Sequence, residues 1–142
     1  MSKNTMSLYT LRLNELAAEL GIAQLEPDES GHACLTLDRL WAIHLAPMNE
    51  VSMVMFLRAG LLTGESQARE LLRGNLFTAD PTPIRVALGQ DDHLILWCQL
   101  SLEDVDAQQL HLALRQLMAK AIALTSDMET PQHSDHRSSL RV

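Results

Sequence analysis

The stretch "VSMVMFLRAGLL", residues 51–62, decides the fold. It puts eight large apolar side chains, Val51, Met53, Val54, Met55, Phe56, Leu57, Leu61 and Leu62, into twelve positions of a 142-residue chain with a formal net charge of -7. A span through a bilayer needs about 20 consecutive apolar residues, and Arg58 and Gly60 interrupt this run while Asn49 and Glu50 precede it. It reads instead as a strand over 51–58, with Val51, Met53, Met55 and Leu57 on one face and Val54 and Phe56 on the other. A strand that meets water on one side should be polar there. This one is apolar on both sides.

Upstream of it, Ala33, Leu35 and Leu37 alternate with Cys34 and Thr36, and after an "LDRL" turn Trp41, Ile43 and Leu45 alternate with Ala42, His44 and Ala46. That is a hairpin, and "APMNE" turns the chain into the third strand of an antiparallel meander. Earlier still, Leu13, Leu16, Ala17 and Leu20 recur at helical steps up to Gly21, a good residue for ending a helix. The acidic "EPDESGH" connects the two patterns.

Downstream, "TGESQARELLRGNLF" (63–77) predicts a short helix, with Ala68, Leu71 and Leu72 at helical spacing. After the linker "TADPTP", Ile84, Val86 and Leu88 alternate with Arg85 and Ala87, and "GQDDH" leads into "LILWCQL", giving two further strands. Ser101 is expected to cap a long final helix with Glu103, Asp104 and Asp106 in its first turn, where the helix dipole favours negative charge. Leu110, Leu114, Leu117, Ala121 and Leu124 form its apolar stripe. The order α-β-β-β-α-β-β-α places the chain in the α+β class, an antiparallel sheet with helices packed on it. One domain is expected over residues 1–127, and 128–142 reads as a flexible polar tail.

Charge and composition narrow the function. Eighteen acidic residues against eleven Lys and Arg argue against nucleic acid, which needs a basic patch. The N-terminus shows no apolar secretory segment, so a cytosolic protein is expected. Cys34 and Cys98 form neither a disulfide framework nor a Cys-x-x-Cys pair. No phosphate-binding loop, dinucleotide fingerprint, nucleophile elbow or His-Glu-x-x-His motif occurs, so neither a catalytic centre nor a cofactor is expected. His32, Cys34, His44 and Cys98 leave a small metal-dependent enzyme as a third reading, although two chance ligands on a strand do not make a zinc site, which wants about four N or S ligands. The "HSDH" at 133–136 sits in the expected tail. What remains is the second apolar face in strands three and five, where Ile95 and Trp97 oppose Leu94, Leu96 and Cys98. Either the monomer covers its sheet twice, or another chain covers part of it.

The opening "LRLNELAAELGI", the hairpin "GHACLTLDRLWAIHLAP", the helix "ARELLRGNLF" and above all "GQDDHLILWCQLSLEDVD" resemble, in order and pattern over residues 8–126, the class I type III secretion chaperones of the Tir chaperone family. The resemblance implies a small acidic cytosolic homodimer without enzymatic activity. It would hold the binding segment of a secreted effector in apolar grooves and by strand pairing, in a 2:1 complex. The alternative it allows is a regulatory adaptor that binds a control protein in the same groove. It places effector contacts among Leu13, Leu16, Leu20, Leu35, Leu37, Trp41, Ile43, Leu45, Val54 and Phe56. Core packing competes with effector contact throughout this set, because alternating rows cannot all face outward. Dimer contacts are expected among Ala68, Leu71, Leu72, Leu76, Phe77, Ile84, Val86 and Trp97.

Overall fold

The computed structural model describes residues 7–129. Its elements are α1 (Leu8–Leu20), β1 (Ala33–Leu37), β2 (Trp41–Pro47), β3 (Ser52–Leu61), α2 (Glu65–Gly74), β4 (Arg85–Leu88), β5 (His93–Ser101) and α3 (Ala107–Glu129). The strands form one antiparallel sheet in the order β1-β2-β3-β5-β4. The element order and class are those the residue periodicity predicts. From residue 130 onward the expected polar tail lies outside the described residues.

Local chemistry sets the turns. Asp38 and Arg39 both take positive φ and the Leu40 N–H donates to the Leu37 carbonyl. The loop has three residues, 38–40, between the paired Leu37 and Trp41, and two of them take the left-handed backbone that closes so short a connection. Asn49 organises the next turn by accepting hydrogen bonds from the backbone N–H groups of Val51 and Ser52. Gly31, at φ 92°, passes so close to β2 that a Cβ there would stand 2.8 Å from Pro47 Cγ. Ser7 caps α1 by accepting from the Thr10 N–H, and Gly21 ends it in the left-handed conformation.

The final helix begins later than the sequence suggests. Ser101 is the last residue of β5, paired with Ser52, and its carbonyl accepts from the Asp104 and Val105 N–H groups in a turn. Asp106 is the residue that caps α3: its carboxylate accepts from the Gln109 N–H while the Gln109 side chain accepts from the Asp106 N–H. This is a reciprocal capping box. The capping chemistry was anticipated but assigned to Ser101, because burial of Leu102, which is 0% exposed, prolongs the strand pairing past the serine. No acidic residue then falls in the first turn of α3.

The core lies between the sheet and α1 with α3. Met53, Met55 and Leu57 of β3 and Leu96 and Cys98 of β5 are fully buried, together with Leu13 and Leu16 of α1 and Leu110, Leu114 and Leu117 of α3. Each such Leu or Met contributes roughly 1.5–3 kcal/mol by leaving water. The third strand is therefore the spine of the fold, and it extends to Leu61 through an irregularity between Arg58 and Leu61. Tyr9 adds a polar tie, its hydroxyl 2.6 Å from the Gly31 carbonyl and 3.1 Å from that of Leu45. By contrast α2 packs on β4 with Leu71 at the edge of the core, a groove separates it from α3, and none of its residues is buried.

Candidate functional site

Register divides the residues expected to touch a partner. Leu35, Ile43 and Leu45 point into the helix-covered side, where with Leu13 and Leu16 they are buried in the core of this chain. Leu20, Leu37 and Trp41 are half-buried at the rim of the same core. Val54 and Phe56 lie on the opposite face, half-buried. Of the expected partner contacts, these two stand where another chain can reach the sheet directly.

Cross-strand pairing on that outer face assembles one row through all the strands: Cys34, His44, Phe56, Trp97 and Arg85. His32, just before β1, joins it. The His32 and His44 rings stack at 5.0 Å with an Nε2 to Nδ1 distance of 2.9 Å, and the His44 ring stacks on Phe56 at 5.0 Å. Burial, and then the neighbouring His32, push the His44 pKa below the ordinary imidazole range. The strands of the whole sheet contain no Asp or Glu, although the chain is acidic overall. The face is thus apolar and aromatic, flanked by Arg58, paired with Asp91, and by Arg85, which donates to the Asn75 carbonyl.

The two histidines were legible in the sequence only as stray metal ligands. Their parity with Phe56 in adjacent strands was the signal that could have placed them in an aromatic row. As a ligand set they are not completed: Cys34 is exposed on the outer face while Cys98 is buried on the inner one. No group of metal-binding side chains occurs among the described residues.

A second apolar surface lies on α2 and the residues after it. Leu72, Leu76 and Phe77 are exposed, Phe77 by 89%. Ala68, Leu71, Ile84 and Val86 are half-buried. An open groove of about 460 Å³ runs between α2, β4 and α3, lined by Leu71, Ile84, Val86 and Leu124 with Lys120 and Glu70 at its polar side. Asn75 joins α2 to β4 as a substitute strand: its side-chain amide donates to the Val86 carbonyl at 2.8 Å and accepts from the Val86 N–H at 2.9 Å. That blunts the β4 edge against further pairing. The β1 edge has no such side-chain substitute among the described residues. Trp97 is half-buried on the outer sheet face, next to Phe56 and away from this groove.

Solved structures similar to this chain include chaperones determined in complex with other proteins. Among solved structures, the type III secretion chaperone SycH of Yersinia pestis, determined in complex with a stable fragment of YscM2, is 46% identical, with 82% of this chain and 98% of that chain covered and a TM-score of 0.78. A chain of the ExoT–SpcS complex from Pseudomonas aeruginosa is 27% identical, covering 87% of this chain and 98% of its own length at a TM-score of 0.68. The HopA1–SchA chaperone–effector complex shares the fold, with 16% identity, 84% and 91% coverage and a TM-score of 0.65. The sequence matches no curated protein significantly. Residues 12–125 match the family model described as Tir chaperone protein (CesT), and the chain belongs to that family.

Proposed function

We infer that this chain is a type III secretion chaperone of the bacterial cytoplasm, which binds the N-terminal chaperone-binding segment of a secreted effector as a homodimer and keeps it soluble and export-competent. The observation that carries the reading is the 46% identity to a secretion chaperone over 98% of that protein's length. The geometry supplies a physical reason. An extended segment gains main-chain hydrogen bonds at a free sheet edge and specificity from side-chain contacts beside it. Here β1 offers the edge, and Val54, Phe56 and the histidine row offer the contacts. The Leu72, Leu76 and Phe77 patch is assigned to the second copy; Trp97, expected at that contact, lies instead on the outer sheet face beside Phe56. No chemical step is needed, and no helix among the described residues is long and apolar enough to cross a membrane.

The test is size-exclusion chromatography with light scattering on protein purified from its own cells, with mass spectrometry of what co-elutes. A dimer carrying one secreted protein is expected. A co-eluting control protein in place of an effector would make the chain a regulatory adaptor, and a partnerless monomer would refute both.

A further inference from the structure

Hydrogen counting on the outer face leads to a property that chaperone architecture alone does not contain. His32 Nε2 and His44 Nδ1 face each other at 2.9 Å. Two neutral imidazoles carry one N–H each, so the facing nitrogens hold one hydrogen between them and make one hydrogen bond. Adding one proton gives the pair three hydrogens for four ring nitrogens. The facing nitrogens still share one, and the new charge can rest on His32, whose Nδ1 lies 3.8 Å from the Asp28 carboxylate. Hydrogen bonds from Ser30 and His32 keep that carboxyl below its ordinary range. A second proton fills every ring nitrogen. Both facing atoms then carry hydrogens, two like charges stand in stacked rings 5.0 Å apart, and the contact has to open.

We propose that the His32–His44 pair makes partner binding at the outer sheet face proton-linked: the face accepts an extended apolar segment while the ring stack is closed, and acidification opens the stack and weakens binding. This rests on the partner reading given above. Covering the stack removes water from it, and removing water disfavours the charged imidazole. Binding therefore lowers the proton affinity of the pair. By linkage, affinity falls as pH drops through the range in which the free pair takes up protons, most steeply where the second proton opens the stack.

The surroundings leave the pair as the titrating element. His32 faces His44 from the connector with Asp28 on its far side, and Cys34 is the cross-strand neighbour of His44 on β1. On β3 stand Phe56 and, further along the same face, Arg58, which is held by Asp91 with His93 beside it. Trp97 and Arg85 continue the row, the arginine bound to a backbone carbonyl. His32 lies outside the strands, its backbone tied to Asp28 by two hydrogen bonds, while His44 and Phe56 are held in paired strands.

Two measurements test this on the full chain. In the free protein, imidazole nitrogen NMR from pH 8 to 5 should show two separated steps, with the Phe56 ring resonances moving at the second. Both histidines titrating as one independent step, with Phe56 unmoved, overturns the proposal whatever the partner. In the complex isolated from cells, affinity should fall by up to about tenfold per pH unit, the slope of one linked proton. His44→Phe, which keeps a ring and takes no proton, should flatten that slope. Wild-type affinity that stays level to pH 5 overturns the linkage alone. Failure to isolate any complex at neutral pH counts against the partner reading, and the free-chain titration still decides the pair.

Discussion

Replacing Leu72 with Ala isolates the assigned dimer surface. Leu72 lies in α2 with 67% of its area exposed in the single chain, so the substitution costs the monomer little, and Ala is the better helix former. If a second copy covers that side chain, the loss is larger. Leucine exceeds alanine by three carbons, worth roughly 0.8 kcal/mol each when fully buried. About two thirds of that burial is still to be gained at the interface, so the loss is about 1.6 kcal/mol per copy. A two-fold interface contains the residue twice, which brings the dimer's loss to about 3 kcal/mol. At about 1.4 kcal/mol per decade this is a dissociation constant roughly 200-fold weaker.

Sedimentation velocity over a dilution series reads that constant, and circular dichroism on the same samples checks that the fold persists. A dissociation constant within threefold of wild type, with the melting temperature unchanged, would refute the assignment of α2 to the dimer.

Ile43→Ala and Phe56→Ala should separate core from surface: Ile43 is 0% exposed, so its truncation should cost about 2–5 kcal/mol in denaturant unfolding, whereas Phe56→Ala should mainly abolish partner binding in a co-purification assay. Burial, with Asp28 adding to it, raises the Tyr9 pKa from 10.0 to about 12; because the folded value is the higher, the stability it contributes is full below pH 10 and is lost as pH rises through about 12. Tyr9→Phe should remove that alkaline step and lose roughly 1–3 kcal/mol at neutral pH, by leaving the Gly31 and Leu45 carbonyls short of a donor. Iodoacetamide should alkylate the native protein at Cys34 only, since Cys98 is buried and its pKa is pushed up to about 12 by burial and by Asp80; a second adduct seen by mass spectrometry before unfolding would contradict this packing.

Periodicity carried most of the fold into view. The change from helical steps in α1 to alternation in β1 and β2 is written in Leu13, Leu16 and Ala17 against Ala33, Leu35 and Leu37, because in each case one face must be apolar and the other is left to water. The start of α3 was misplaced for the opposite reason. Ser101 and Asp106 are both good caps, and what decides between them is the burial of Leu102 against distant residues, which local spacing does not encode. The site was less legible. Alternation identifies two sets of residues on β2 and β3 but does not say which set the helices cover, so Ile43 and Phe56 look alike in sequence and end on opposite sides of the sheet. Tyr9 is another such case: its role comes from Gly31 and Leu45, carbonyls that only the folded chain brings to one hydroxyl.

The short helix α2 shows why the fold and the function belong together. It has ten residues, no side-chain N-cap and no buried residue, and helices of that length are marginal in water unless tertiary packing supports them. Within the chain its ties are the Glu65–Arg69 ion pair, exposed and worth little, the bonds that Gln67 accepts from Thr63, the half-buried Leu71 at the edge of the core, and the bonds from Asn75 to β4. Yet Leu72 on the helix and Leu76 and Phe77 just after it are turned toward water, which is costly for a segment that gains so little elsewhere. Cover by a second copy, the arrangement proposed above, would resolve both facts at once, because the same contact that joined two chains would supply the burial that α2 lacks. It also leaves the β1 edge of each copy, on the far side of the sheet order from β4, available to one extended partner. On that reading dimerisation and partner binding draw on opposite ends of a single sheet, with Phe56 and Trp97 paired across its middle strands.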